Sequence, residues 1–494
     1  MREVFCKSAY CVLFLGVFLP RLCSLGLFPF MDEGFYAYQA MTIADSLASS
    51  HSLPDYGPCN LYALLLAPVT ALPMNPLVAM RLCDLAFALI AGLILFRIIS
   101  RLTSDAKAAA LSTLLLLLCL NAFDCIQAGA KNSFFAAFIP LFAAYLLWLK
   151  EGERAIVWAG VLVAIAVLLR ETFAIYALLS CCAVFFALGV RAALLFCAGG
   201  LGSGAVLLAL LVFLRGGYTE LVLSYVKAGA IFAAESGHIL SNFLYQSWRF
   251  LLDFWPAVLL LVCALILLRR RPTKRCFFFA SLLLAPIPEI VGKISYLYHF
   301  SLFFLGFAGL IPLGYERLIE ISPQYKKKAQ YALIAACVVT FVQTVALSSF
   351  PESVRVLASP RCSFPESMRT QSNTLLAADA IRASRAETLC ISGFMHFLYP
   401  ATGLLPPAYG MDDISRLYLL LGKNTDALES ALRANPPEII AVGKTEETDH
   451  VAMFSAEIEA AIKATGLYQF YADIPPDPGK NYGWIGCSLY KLSK

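Results

Sequence analysis

Long apolar runs follow one another through most of this sequence, and they constrain its fold more than any other feature. Hydrophobic residues make up 60% of the 494 residues and charged residues 14%, with a mean hydropathy of +0.73. A soluble domain is typically about 45–50% apolar and about 25% charged. The composition therefore predicts a polytopic α-helical membrane protein.

The apolar runs predict about eleven transmembrane helices, because a helix crosses a bilayer with roughly 17–25 residues. Arg2 and Lys7 precede the first run, 10–28, as they do in a signal peptide. That run is long and lacks a clear small-residue cleavage site, so we expect it to remain as a membrane helix. The other predicted spans lie near 78–99, 106–122, 133–149, 155–169, 173–189, 192–214, 251–268, 276–291, 297–313 and 330–347.

Basic residues predict the orientation of these spans. With a cytoplasmic N-terminus and alternating spans, the cytoplasmic segments hold about twice as many Lys and Arg residues as the segments on the other side. We therefore expect a multi-pass protein of the cytoplasmic membrane. Its first loop, 28–77, and everything after residue 348 would then be extracytoplasmic.

The tail after residue 348 is richer in charge, and strand-like runs alternate in it with helical periodicity. This alternation predicts a small extracytoplasmic α/β domain over 348–494, after a transmembrane domain over 1–347 that includes the loop 28–77. The predicted strands lie within Glu387–Gly393, Glu438–Gly443 and Tyr482–Leu492, and the predicted helices are Ser372–Ser384, Asp413–Leu421, Thr425–Ala434 and Val451–Thr465.

The first loop carries the most unusual polar stretch, in which Asp32 and Glu33 follow the first span directly. The loop contains no Lys or Arg, so any cationic partner of these acids must come from a later segment, such as Arg81 or Lys293. Two short helices, Gly34–Leu47 and Leu61–Leu72, are expected on the membrane surface. A carboxylate in a low-dielectric setting can act as a general base, although acids at an interface are also ordinary loop residues.

These residues resemble the GT-C membrane glycosyltransferases, and among them the bacterial protein O-mannosyltransferase and lipid A aminoarabinose transferase group. The resemblance covers the whole layout of the chain. It implies a sugar donor linked to polyprenyl phosphate and transfer outside the cytoplasmic membrane. The specific patches are Asp32-Glu33-Gly34-Phe35-Tyr36, Tyr56 to Tyr62, Ala79-Met80-Arg81-Leu82, Lys293 to His299, Phe397-Leu398-Tyr399 and Pro436 to Val442.

The resemblance implies that Asp32 is the catalytic base and Glu33 its companion. Two departures concern the aminoarabinose enzymes. They usually have Arg two residues after the Glu, where this chain has Phe35, and Lys before a Pro-Pro pair, where it has Gly57-Pro58-Cys59-Asn60. Both of those cations would have faced a donor phosphate.

A polyprenyl-phosphate leaving group requires positive charge near the developing anion. Predicted donor-phosphate residues are Arg81, Lys293, Arg249 and Lys131, and Arg170 is a further candidate. For each of them the alternative is an anchor whose charged end reaches the membrane surface.

Aromatic residues and a histidine in the matching patches are predicted to contact substrate, with a core role as the alternative for the histidine. They are Tyr36, Tyr62, Tyr296 and His299. Glu235 and His238 could share a helix face, but no third metal ligand accompanies them, and the 16 cysteines include no C-x-x-C pair. We therefore predict no cofactor, and a divalent metal is not indicated.

The function predicted from these features is that of an inverting glycosyltransferase of the hexosyl or pentosyl class. Its partners would be a polyprenyl-phosphate sugar, membrane lipids and a lipid, glycan or protein acceptor, with no nucleic acid. The alternative is a transporter or flippase of lipid-linked saccharides, which would place charges inside the spans. Few such charges are evident, Asp84 among them. An O-antigen ligase or polymerase would be expected to place its key cations in a large late external loop.

Overall fold

The described residues of the computed structural model form two compact units. The first comprises the described parts of Met1–Leu27, Leu82–Leu211 and His238–Ser353, and the second those of Phe28–Arg81, Val212–Gly237 and Val354–Lys494. The first loop thus belongs to the same unit as the tail, whereas the sequence grouped it with the spans. The structure describes residues 2–26, 31–49, 61–122, 134–150, 152–215, 239–269, 273–284, 286–287, 290, 297–346, 350–359, 373–393, 395–408, 410–444, 454–476 and 486–493.

Most of the described chain is helical. The helices before residue 360 are α1 (Arg2–Leu13), α2 (Leu19–Ser24), α3 (Met31–Ser49), α4 (Leu61–Thr70), α5 (Pro76–Leu102), α6 (Ala106–Leu120), α7 (Phe134–Trp148), α8 (Glu153–Leu169), α9 (Ala174–Leu188), α10 (Val190–Arg215), α11 (Ile239–Asp253), α12 (Trp255–Leu268), α13 (Lys274–Leu282), α14 (Leu297–Phe300), α15 (Phe304–Ile321), α16 (Lys326–Ala346) and α17 (Phe350–Ala358). The later elements are α18 (Asn373–Ala383), β1 (Leu389–Ser392), α19 (Leu398–Thr402), α20 (Ile414–Leu420), α21 (Thr425–Ala434), β2 (Ile439–Gly443), α22 (Ser455–Thr465), β3 (Tyr468–Ile474) and β4 (Cys487–Leu492).

Several helices are long and apolar enough to cross a bilayer, as expected for a multi-pass membrane protein. Within the described ranges five qualify, or six if Phe243–Asp253 and Trp255–Leu268, which meet at 87°, count as one. The total of about eleven stays a prediction. The five are Lys7–Ser24, Pro76–Leu102, Val190–Leu210, Leu297–Ile321 and Pro323–Val345, and the shorter apolar helices are Leu61–Thr70, Ala106–Leu120, Phe134–Trp148 and Ala174–Leu188.

The tail of the second unit contains a four-stranded sheet in the order β1-β2-β4-β3. The strands β1 and β2 pair in parallel, and β4 is antiparallel to both β2 and β3. Each run predicted to be a strand contains one, while β3 was not predicted. It lies at the edge, and an irregularity between Phe470 and Ala472 breaks the alternation that would have revealed it.

One face of this sheet shares a hydrophobic core with the first loop. Tyr38 and Ile43 of α3 and Ala63 of α4 lie in one buried cluster with Ile391 of β1 and Ile439 of β2. The helices predicted within 28–77 are therefore present, and their apolar residues pack on the tail. That the tail is a separate extracytoplasmic domain stays a prediction.

The opposite face of the sheet has a core built only from tail elements. Ile440 of β2 lies there with Tyr418, Leu432 and Ile462, one residue from each of α20, α21 and α22. The strands β1 and β2 are fully buried because helices cover both faces. The acidic stretch thus joins a three-layered arrangement of helix, sheet and helix.

Candidate active site

The acidic stretch forms the start of α3. The helix begins at Met31, so Asp32 and Glu33 lie in its first turn, where the exposed N–H groups of the backbone favour negative charge. The side chain of Asp32 lies outside the described residues. Its place in the helix nevertheless fixes its backbone beside Glu33.

Glu33 is held by a buried ion pair. Arg81 Nε donates to Glu33 Oε1 and Arg81 Nη2 donates to Glu33 Oε2, each over 2.7 Å. The two side chains are 0% and 2% exposed, so water does not screen the pair. Such a two-point contact gives the carboxylate one defined orientation. Of the later cations named as partners for the acids, Arg81 thus contacts Glu33, while its role toward a donor phosphate stays a prediction.

Gly34, the next residue, lies against the tail. A Cβ atom at Gly34 would stand 2.1 Å from Phe397 N and 2.4 Å from Phe397 Cα. No side chain fits in that space, so glycine permits the close approach of two backbones. The acidic stretch and the segment that follows β1 therefore meet directly.

The ring of Phe35 extends this contact to a buried histidine. Phe35 and His396 stand edge to face, with ring centroids 5.0 Å apart and an interplanar angle of 81°. The ring of Tyr38, one turn along α3, lies 4.5 Å from that of Tyr399, whose hydroxyl donates to the backbone oxygen of Asp412. Aromatic contacts thus connect the first turns of α3 to the loop before α20.

Asp412 is the charged centre of this part of the tail. His396 Nε2 lies 3.5 Å from Asp412 Oδ2, and Arg416 donates to Asp412 Oδ1. Burial raises the pKa of the Asp412 carboxyl, but the charge of Arg416 and the nearby ring of His396 outweigh it, so the pKa is lowered to about 2. Asp412 is therefore a carboxylate at physiological pH.

Two predicted substrate contacts come together in the second unit. The rings of Tyr36 and Tyr62 stand edge to face, with centroids 5.1 Å apart and an interplanar angle of 86°. Tyr62 is buried, whereas Tyr36 is half-buried. Of the pair, Tyr36 is the more exposed residue.

Other predicted site residues belong to the first unit. His299 is buried in α14, with its ring 4.2 Å from that of Tyr298. Arg249 lies on α11, where it contacts Asp253 over 3.4 Å. Lys131, Lys293 and Tyr296, together with Glu235 and His238, lie outside the described residues.

Arg170 lies next to the patch that contains His299. Its guanidinium carbon stands 3.9 Å above the ring of Phe134, and that ring lies 6.2 Å from the ring of Tyr298. A guanidinium that lies over the face of an aromatic ring is held there by its attraction to the ring. The sequence included Arg170 only as a further candidate.

The sequence did not predict the pairing of Arg21 with Asp84 in the first unit. It also did not predict the contacts of His396 with Phe35 and Asp412. Arg21 bonds Asp84 and, through Nε, Asn121 Oδ1 at 2.6 Å, and its guanidinium carbon lies 4.3 Å from the centre of the Phe135 ring. A signal was present for His396, because it directly precedes the matching patch Phe397-Leu398-Tyr399. Among the described residues, no group of three His, Cys, Asp or Glu side chains could hold a metal ion.

Solved structures of an archaeal enzyme share this fold. The oligosaccharyltransferase of Archaeoglobus fulgidus, AglB, matches in complex with an inhibitory peptide and a dolichol-phosphate, with TM-score 0.55, 12% identity and coverage of 94% of this chain and 73% of that chain. The form tethered with an acceptor peptide matches with TM-score 0.54 and 12% identity, and the match covers 98% of this chain and 74% of that chain. The apo form matches with TM-score 0.52 and 11% identity, and the match covers 89% of this chain and 69% of that chain. AglB is a GT-C glycosyltransferase.

This chain has the GT-C fold. The likeness extends over nearly the whole chain, and the resemblance predicted from the acidic stretch is confirmed at the level of the fold. No protein-family model matches the sequence, and no curated protein matches it.

Proposed function

We propose that this protein is an inverting glycosyltransferase that moves a sugar from a polyprenyl-phosphate donor to an acceptor on the outer face of the cytoplasmic membrane. The acceptor is a lipid, a glycan or a protein. The observation that carries this proposal is the acidic stretch, placed at the start of a helix and locked by a buried Glu33–Arg81 pair within a chain of GT-C fold.

Asp32 is the base in this proposal. It takes the proton from an acceptor hydroxyl, and the acceptor oxygen then forms a bond to the anomeric carbon as the bond from that carbon to the phosphate oxygen breaks. The polyprenyl phosphate leaves with the electron pair of the broken bond. A single displacement of this kind inverts the configuration of the sugar.

Glu33 and Arg81 hold the base rather than bind the donor in this proposal. Both oxygens of Glu33 accept from Arg81, and both side chains are buried. Each oxygen of Glu33 therefore already accepts a hydrogen bond, whereas a general base needs an oxygen within reach of the acceptor hydroxyl. The proton therefore passes to Asp32, and Glu33 keeps the first turn of α3 in one position.

The charge on the leaving phosphate is balanced by cations that were predicted from the sequence. Lys293 keeps this role, and Arg170 joins it because its guanidinium lies at the Phe134–Tyr298 end of the same patch. Arg249 has a weaker case, since it contacts the carboxylate of Asp253. Lys131 stays a prediction, and so do the substrate contacts Tyr36, Tyr62, Tyr296 and His299.

The test measures release of polyprenyl phosphate by the full chain in nanodiscs that contain polyprenyl-phosphate mannose, glucose or aminoarabinose and an envelope extract as acceptor source. Asp32→Asn is expected to lower turnover by roughly 10²–10⁴-fold, the usual contribution of a general base. Asp45→Asn is the matched control, because Asp45 is an exposed acid on the same helix. Near-normal turnover by a folded Asp32→Asn variant would exclude the assigned role.

A transporter of lipid-linked saccharides remains a second candidate, and the Arg21–Asp84 pair favours it. Both residues are buried, and they lie in helices long enough to cross a bilayer. Buried charges in spans often mark a transport path. Movement of a lipid-linked sugar across proteoliposomes without any acceptor, abolished by Asp84→Asn and unaffected by Asp32→Asn, would support this candidate over the transferase.

A further inference from the structure

The helix α11 turns sharply into the helix that follows it. Its segment Phe243–Asp253 meets Trp255–Leu268 at 87°. The second helix carries no charged residue and exposes Leu259, Val262 and Ile266, as a helix facing lipid does. If α12 crosses the bilayer with an ordinary tilt of about 20°, α11 lies close to the membrane plane.

The exposed face of α11 is apolar from Leu244 to Leu252. Leu244, Tyr245, Trp248, Leu251 and Leu252 are between 46% and 61% exposed. Their spacing places all five on one side of a helix. A helix side in water normally carries polar residues, so this side faces a different medium.

The opposite face of α11 is packed on the protein. The ring of Phe250 lies 5.6 Å from that of Phe300 and 5.5 Å from that of Phe304, and Gln246 is buried on the same side. The inner side thus holds an aromatic ring and an amide, while leucine, tyrosine and tryptophan are exposed on the other side. The packed face fixes which side the helix presents.

A charged pair on the flank of α11 argues against a position deep in the hydrocarbon. Arg249 and Asp253 contact each other over 3.4 Å, and their side chains are 26% and 37% exposed. Half-exposed charges are costly at the bilayer centre and ordinary at its surface. Tryptophan and tyrosine are also enriched at the level of the lipid headgroups.

We infer that α11 is an interfacial helix whose Leu244–Leu252 face lies in the headgroup and acyl boundary of a lipid leaflet. The occupant of this face is lipid, because apolar side chains are about half exposed on both sides of the bend, Leu252 before it and Trp255 and Leu259 after it. A helix of this kind enters the boundary by about 5–10 Å. The aromatic inner face of α11 thereby sets the depth of Phe300, which is adjacent to His299 in sequence.

The test locates Trp248 by fluorescence quenching in the full-length protein. The protein is placed in nanodiscs whose lipids carry bromine either near the headgroup or near the chain end, and aqueous iodide is used in a parallel series. The signal of Trp248 is the difference between the wild type and Trp248→Phe. Bromine near the headgroup is expected to quench it about twofold more than bromine at the chain end, with little quenching by iodide.

Three results would overturn the inference. Iodide as the strongest quencher would place Trp248 in water, bromine at the chain end as the strongest would place α11 within a span, and no quenching would mean that protein covers the face. Trp148→Phe is the control, because Trp148 is only 8% exposed and its removal should change no quenching. Trp255→Phe gives a second measurement at the bend if Trp248→Phe fails to fold. The readout needs no enzymatic activity, so it stands whether or not the transferase proposal holds.

Discussion

Each of the two compact units contains a buried arginine–carboxylate pair, and the pairs differ in how fully the carboxylate is bonded. In the second unit both oxygens of Glu33 accept from Arg81 over 2.7 Å. In the first unit one oxygen of Asp84 accepts from Arg21, which also donates to Asn121. The other oxygen of Asp84 has no hydrogen-bond partner among the described residues.

The Glu33–Arg81 pair is therefore a fixed pair, and the Arg21–Asp84 pair is an adaptable one. A carboxylate bonded at both oxygens has one orientation, as expected next to a group that must be held in place. Arg21 keeps two other contacts, Asn121 and the ring of Phe135, if Asp84 changes. Removing the acid should therefore harm the two units to different degrees.

The largest effect is expected from Glu33→Gln. The substitution removes the charge of Glu33 from beside the buried guanidinium of Arg81, so the free energy of unfolding should fall by about 3–5 kcal/mol. Denaturant titration of the full chain in detergent micelles measures it. Glu153→Gln is the control, because the Arg191–Glu153 pair is exposed and its loss should stay within about 0.5 kcal/mol.

A double variant separates stability from position. Glu33→Leu with Arg81→Met replaces the pair by apolar side chains, which is often close to neutral for folding. If Glu33 serves to hold Asp32, the double variant should recover stability and still lack transferase activity. Recovery of both would contradict the positioning role.

Gly34→Ala tests whether the fixed pair depends on the tail. The new Cβ would stand 2.1 Å from Phe397 N, so the two backbones must separate, and we expect a loss of about 2–3 kcal/mol from overpacking. Gly202→Ala is the matched helical control. No atom lies within 4 Å of its added Cβ, so it should stabilise the protein by roughly 0.5–1 kcal/mol. Equal unfolding free energies in the two variants would refute the contact.

A smaller effect is expected from Asp84→Asn in the first unit. The variant also removes a buried negative charge, but the guanidinium of Arg21 keeps Asn121 and the Phe135 ring, so the loss should be about 1–2 kcal/mol. The same titration measures it. A loss as large as that of Glu33→Gln would show that the two pairs are equally rigid and would remove the distinction drawn above.

The charge pattern of the sequence predicted a cationic partner from a later segment, such as Arg81 or Lys293, but not which acid it would contact. The loop 28–77 contains no Lys or Arg, so a buried acid in it required a cation from a later segment, and Arg81 is near. The contacts of Phe35 with His396 and of Gly34 with Phe397 could not be predicted in this way. They join positions more than 300 residues apart, and they depend on how a sheet packs against α3.

The break between α11 and α12 shows a second limit. The run 251–268 was predicted as one span because apolar composition does not distinguish lipid-facing from interfacial residues. A signal was present in Pro256, which lies at the first or second position of α12, where proline is favoured at a helix start. The sequence does not show that Trp248 on the preceding helix is exposed and Gln246 is buried, and the structure was needed to assign them to opposite sides of that helix.

The smallest predicted effect concerns a third buried carboxylate, Asp412, and depends on pH. Its folded pKa of about 2 lies below its unfolded value of about 3.9, so the folded state binds fewer protons in this range. The stabilisation is complete above the unfolded value and is lost as the pH falls through the folded one. Lowering the pH from 6 to 3 should remove about 1 kcal/mol of it.

The variant Asp412→Asn isolates this contribution, because asparagine does not titrate. The difference in unfolding free energy between the wild type and Asp412→Asn should shrink by about 1 kcal/mol between pH 6 and pH 3. A difference that stays constant would mean that Arg416 and His396 do not lower the pKa of Asp412. Like Glu33, Asp412 is a buried acid bonded to an arginine, and a shrinking difference would show that its surroundings hold the pKa of this acid below its ordinary value.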